Sequence, residues 1–256
     1  MTLIVTYHAI EHGPEPLCID PALFAEHAAV VAESGAETLT VRELAARLRA
    51  GDLPERAVVV TFDDGCASVA ECAAPVLAVH GVRATVYCVA GHVGGANDWP
   101  TQASWAPRLA LASAGALSDL ARAGWEIGSH GVAHRPLAQL DDVAVHDEIV
   151  ASRTRLEELT DADVSTYAWP YGSRPSAPGA ALIRETYGAA CGGGPAVVRP
   201  SSDPYALERV DAHYLRDPER LRRAIEGALD RQITARAMAA RMRRLVRADH
   251  AVDRQA

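Results

Sequence analysis

The feature that most constrains this chain is an ordering: short β-type runs alternate with helical patterns almost from end to end. The runs are Leu3–Thr6, Ala57–Phe62, Ala84–Val89, Trp125–Ser129, Ser165–Trp169 and Gly188–Cys191. Helical stretches lie between them, near 21–33, 41–49, 67–80, 115–123, 142–159 and 177–186. Ala57-Val-Val-Val-Thr-Phe62 is apolar on both faces, as a parallel strand buried between two layers must be. Such alternation predicts a largely parallel sheet, either a closed or nearly closed barrel or an open doubly wound sheet. In both, function sits at the carboxyl ends of the strands. Within 142–159, Val143, Val145, Ile149 and Leu156 fall near one face. Asp142, Asp147, Glu148, Arg153 and Arg155 are left for the wet side. Asp141 or Asp142 is placed to cap the start.

With 256 residues, 49% of them hydrophobic, the chain can bury a sizeable core as one domain. A formal charge of −8 argues against nucleic acid as a partner. The apolar run at the start is too short for a secretory core or a membrane span, and no later stretch approaches a spanning length. The expectation is a soluble cytoplasmic protein without a transmembrane segment. Five scattered cysteines lack a C-x-x-C spacing and read as small buried hydrophobes. Cys66 has the alternative of a thiolate ligand, because it follows Asp64 closely. From Arg216 onward there are eleven Arg and six acidic residues. Asp217-Pro218 starts a helix that can continue through Met238, Met242 and Leu245. That segment either packs on the barrel or touches an anionic membrane as a basic amphipathic tail. The expected division is a catalytic barrel over 1–215 and an Arg-rich helix and tail over 216–256.

Four strand ends carry chemistry: Tyr7-His8, Thr61-Phe-Asp-Asp-Gly65, Ser129-His-Gly-Val-Ala-His134 and Trp169-Pro-Tyr-Gly172. Neighbouring side chains on a strand face opposite ways, so Asp63 and Asp64 converge only if the chain leaves the strand near Gly65. Two acids in one dry cleft repel, so one should hold a cation while the other handles protons. Asp-Asp-Gly is also a common turn sequence. His130 and His134, four apart on the same rim as Asp64, complete a ligand set suited to zinc or a similar ion.

Thr61-Phe-Asp-Asp-Gly65, Ser129-His-Gly-Val-Ala-His134 and Ala168-Trp-Pro-Tyr171 resemble, in order, the first three motifs of the polysaccharide deacetylases, carbohydrate esterase family 4. Arg83-Ala-Thr-Val-Tyr87 and Ala123-Gly-Trp-Glu-Ile-Gly-Ser-His130 are similar to the family's surrounding strands, and the likeness runs from about residue 2 to 215. The resemblance implies a distorted (β/α) barrel of about seven parallel strands, with a C-terminal helical extension here. It also implies a metal-activated water that attacks an acetamide. Asp64, His130 and His134 match the metal triad, with zinc first and cobalt, nickel or manganese as alternatives. Asp63 matches the general base, and a backbone N–H near Tyr171 the oxyanion donor. Two departures matter. Ala168 stands where the family commonly has the Arg that orients the base. Arg209 is the candidate substitute, with pairing to Glu208 or Asp211 as its other reading. No late general-acid motif follows residue 200, but Leu3-Ile-Val-Thr-Tyr-His8 resembles that motif moved to the front. His8 is therefore assigned as general acid, with His213 as runner-up. Trp99 or Trp105, in the Gly-rich 91–105 stretch, and Trp169 are candidates to stack on a sugar. Trp125 reads as core. The expected substrate is an N-acetylated amino sugar or glycoconjugate. The alternatives are a non-sugar amide or O-acetyl ester, and a catalytically silent carbohydrate-binding relative.

Overall fold

The computed structural model describes residues 1–228, 231–232, 235–236 and 239. Eight parallel strands form the main sheet: β1 (Thr2–Tyr7), β2 (Glu37–Leu39), β3 (Ala57–Phe62), β4 (Thr85–Cys88), β5 (Glu126–Ser129), β6 (Thr166–Ala168), β7 (Ala189–Cys191) and β8 (Val210–Asp211). Seven follow the path β8-β1-β3-β4-β5-β6-β7, and β2 is added beside β3. The sheet curls into a nearly closed barrel. Leu207 N–H donates to Ala190 O of β7, and three residues later Val210 pairs with Val5 of β1. One segment thus spans the gap between the last strand and the first. The sequence runs locate six strands to within about two residues, but not β2 or β8. Both are two or three residues long and carry no apolar alternation, so pairing alone makes them strands.

Alternation divides the strand residues between two cores. Leu3, Val5, Val58, Val60 and Phe62 face the helical layer. Ile4, Ala57, Val59, Tyr87, Ala168 and Cys191 fill the interior with the apolar face of α2 (Val41–Ala50). That interior is layered. At its base the buried Glu126 carboxylate accepts from the Thr85 and Thr166 hydroxyls and from Arg42 N–H in the first turn of α2. Two residues along β5, Gly128 leaves room for the Tyr87 ring, 2.5 Å from where a Cβ would stand. Two further along is His130. Burial of Glu126 raises its carboxyl pKa, and these three donors oppose the shift.

The outer helices start where the sequence places caps. Asp20 caps α1 (Pro21–Glu33), and Thr40 with Glu43 forms a capping box on α2. A π turn at 69–73 leads into α3 (Ala74–Val79), and α4 (Ala114–Arg122) is capped by Ser113. Asp141 caps α5 (Asp142–His146), which passes through a π turn at 147–151 into α6 (Ser152–Thr160). That π turn corrects the expected faces. The extra residue rotates the helix surface, leaving Val143 74% exposed and Glu148 only 3% exposed. Helix α7 (Ala177–Thr186) follows, and Asp217 caps α8 (Pro218–Ile225).

Helix α8 buries Leu221, Ala224 and Ile225 in the same core as the barrel, so the packed unit extends past residue 215. The helical continuation through Met238, Met242 and Leu245, with its membrane contact, lies outside the described residues. Among those described, no helix is long and apolar enough to cross a membrane. The five cysteines are free thiols. Leu221 is fully buried. Leu221→Ala should therefore lower the unfolding free energy by about 2–5 kcal/mol in a single denaturant transition. A change below about 0.5 kcal/mol would show α8 to be an appendage.

Candidate active site

The interior column of β3 runs Ala57, Val59, Thr61 and reaches Asp63 just past the strand end. Asp64, next in line, would face the helices if the strand continued. Its φ of 69° and that of Gly65, 75°, turn the chain back through the left-handed region. The pleat therefore breaks at Asp64 itself, one residue before the position expected. His134 (φ 52°) and Tyr171 (φ 57°) adopt the same conformation, so three of the four non-glycine residues described with positive φ lie in one cleft. Backbone held in this region costs of order 1–3 kcal/mol per residue and needs support around it.

Asp64, His130 and His134 are buried, and their donor atoms lie within 4.8 Å of one another. His130 Nε2 and His134 Nε2 are 3.2 Å apart, and Asp64 Oδ1 is 3.7 Å from the first and 3.3 Å from the second. Two nitrogens each about 2.0–2.1 Å from a tetrahedral zinc stand roughly 3.3 Å apart, so the spacing fits such an ion. His130 Nδ1–H donates to Ala168 O at 2.8 Å, which leaves the lone pair of the neutral ring at Nε2. Burial and the neighbouring His130 hold the His134 pKa well below the usual range, the neutral state a ligand requires. Asp64 Oδ1 is buried without a hydrogen-bond partner among the described residues. An orphaned buried carboxylate oxygen facing two imidazole nitrogens is the chemistry of a divalent cation site.

Asp63 is held differently. Arg209 Nη1 and Nη2 donate to its two carboxylate oxygens at 2.6 and 2.8 Å, a bidentate pair in which both side chains are nearly buried. The guanidinium also lies over the Tyr87 ring, 5.5 Å from its centroid. Burial would raise the Asp63 pKa, but Arg209, with His130, pulls it well below the usual carboxylate range. Burial raises that of Asp64, against the pull of His8 and His130. The two adjacent carboxyls thus have different partners, a guanidinium for Asp63 and two imidazoles for Asp64. Arg209 pairs with the base candidate rather than with Glu208 or Asp211, because its strand neighbour Val210 docks on β1 beside Asp63's own strand.

The cleft above these groups has a volume of about 340 Å³. His8, Trp169 and Tyr171 line it, as does Asp211, which sequence reasoning considered only as an Arg209 partner. Asp211 pairs with Thr6 in register, two residues before His8, so strand pairing places it on this wall. His213 does not line the cleft; its ring stands 3.1 Å from Glu15 at a partly exposed position. Trp99 does not face the cleft either. It is buried with its ring 4.4 Å from that of His134, on the side away from the cleft, and Trp105, 57% exposed, stands at the mouth. The Tyr171 ring packs 4.5 Å from His134, and its hydroxyl donates to Thr101, whose own hydroxyl donates to His134 O. Trp125 is core, stacked on Phe62. Cys66 is buried and does not join the cluster of candidate ligand atoms formed by Asp64, His130 and His134. Glu148, which the helix pattern placed in water, is instead buried and accepts from the Val132 N–H beside the two histidines.

Comparison with known proteins agrees with this geometry. The sequence profile of the family described as polysaccharide deacetylase matches residues 50–187, more than half the chain. "Putative polysaccharide deacetylase YxkH" of Bacillus subtilis (strain 168) is 25% identical over 170 residues, 66% of this chain and 56% of that protein. The chain therefore spans a little over half the length of that relative. The fold is similar to Streptococcus pyogenes deacetylase PplD, solved in complex with acetate, at a TM-score of 0.73 and 21% identity over 86% of this chain and 95% of that one. IcaB from Ammonifex degensii is similar at a TM-score of 0.71 and 20% identity, over 86% and 97%. With its motifs brought together in one cleft and its sequence matched over residues 50–187, this chain belongs to the polysaccharide deacetylase family.

Proposed function

We propose that this chain removes the N-acetyl group from an amino sugar or amino-sugar conjugate, using one divalent cation, with zinc first among the candidates. The observation that carries the reading is the convergence of three buried ligand atoms beside a carboxylate clamped by arginine. When bound, the cation would polarise the amide carbonyl and acidify a water molecule near neutral pH. Asp64, His130 and His134 would hold it. Asp63, kept ionised by Arg209, is the group able to accept a proton, and the bidentate clamp fixes the direction from which it does so. His8, just past the end of the neighbouring strand β1, would give a proton to the departing amine. The backbone at Tyr171, turned into its left-handed conformation, would supply an N–H to the developing oxyanion, a donor worth about 3–4 kcal/mol. Trp105 and Tyr171 are the exposed aromatic surfaces at the rim on which a sugar face can lie.

Purified protein supplied with Zn²⁺ or Co²⁺ should release acetate from acetylated amino-sugar conjugates. No release across such a panel from folded, metal-loaded protein would overturn the reading, and faster turnover of a simple acetyl ester would move it to an esterase. Alanine at Asp64, His130 or His134 should remove metal and activity together. Asp63→Asn should keep the metal and lower kcat by about 10²–10⁴-fold. Loss of metal in Asp63→Asn would break the division of labour between the two acids. His8→Ala should keep the metal and lower kcat by about 10²-fold, and Arg209→Lys should lower kcat because a lysine cannot make the paired hydrogen bonds.

A further inference from the structure

The three residues between the histidines, Gly131-Val-Ala133, belong to no helix or strand, yet they set where both imidazoles lie. Their backbone N–H groups are taken in order. Gly131 N–H donates to Ser129 Oγ at 3.2 Å, and Val132 N–H donates to Glu148 Oε2 at 2.7 Å. Ala133 N–H is shared between the two Glu148 oxygens at 3.2 and 3.1 Å. Ser129 Oγ is in turn hydrogen-bonded to Ser152 Oγ at 2.7 Å, so both anchors trace to one stretch of helix. The π turn at 147–151 makes this possible by rotating Glu148 inward from a face whose spacing reads as wet. The fit is tight: a Cβ on Gly131 would stand 2.4 Å from Glu148 Oε2. The carbonyls of Gly131 and Val132 are also used, accepting from Ala90 and Gly91 N–H groups.

We propose that Glu148 is a positioning residue for the cation ligands: its buried carboxylate holds the Gly131–Ala133 backbone so that His130 and His134 present Nε2 to a common point. It touches no ligand directly and acts through the loop. The proposal rests on the reading of Asp64, His130 and His134 as the cation ligands. Removing the carboxylate leaves two part-buried N–H groups without a partner, and the loop must relax to find others. Groups that orient ligands in this way typically govern about 10–100-fold in metal affinity or activity.

The test compares Glu148→Ala, Glu148→Gln and Leu156→Ala, the last destabilising the same helix from a site remote from the loop. Zn²⁺ affinity is measured by chelator competition, kcat and KM on the best substrate found, and amide exchange at Val132 and Ala133 in metal-free protein. Glu148→Ala should weaken Zn²⁺ binding about 10–100-fold, lower kcat with KM little changed, and speed exchange at both amides. Glu148→Gln, which keeps an acceptor oxygen, should recover most of each loss, while Leu156→Ala should lose stability without losing metal affinity. Wild-type Zn²⁺ affinity in Glu148→Ala, or an equal loss in Leu156→Ala, overturns the proposal. If the wild-type protein itself takes up no Zn²⁺, the deacetylase reading fails instead. Exchange at Val132 and Ala133 still decides whether Glu148 holds the loop.

Discussion

Two carboxylates at the end of one buried strand repel each other, and the structure gives them different surroundings. Asp63 has Arg209, in a bidentate pair almost out of water. Asp64 has two imidazole nitrogens within 3.7 Å and an oxygen with no protein hydrogen-bond partner among the described residues. Breaking a buried ion pair by removing one partner commonly costs about 3–5 kcal/mol, so Arg209 is bound into the stability of the barrel as well as its chemistry. It reaches Asp63 because the segment from Leu207 to Asp211 bridges the last strand and the first. Closing the barrel and holding the carboxylate are one event.

The second constraint is backbone strain and its support. Asp64, His134 and Tyr171 all sit in left-handed conformations without being glycine. Each is braced: Asp64 by the tight approach of Gly65 to Cys88, Tyr171 through its hydroxyl on Thr101, His134 between the Trp99 and Tyr171 rings. Trp99 is therefore better understood as a wall behind the His134 ring than as a platform for sugar. The long loop that carries it folds inward over the site and leaves Trp105 at the mouth.

Much of this was legible along the chain. Strand ends could be read because parallel strands must be apolar on both faces, and because Asp63 and His130 follow such runs at once and Tyr171 two residues later. The expected role of Arg209 rested on a missing arginine at Ala168, and the structure pairs it with Asp63. Helix 142–160 was legible in extent but not in facing, since a π turn leaves no mark in residue spacing until neighbours are packed against it. Glu148 was hidden for that reason, and Asp211 because a two-residue strand has no pattern to read.

What the order of residues established alone is local and chemical: where strands and helices run, which turns are capped, and which side chains can bind a cation or carry a proton. Those properties depend on a few neighbouring positions and on side-chain type, so they survive without coordinates. Partnership across the barrel does not. Residues 63 and 209, or 131 and 148, meet because strands close in a particular register and a helix is rotated by one extra residue. Such contacts are set by the competition among all the buried surfaces at once.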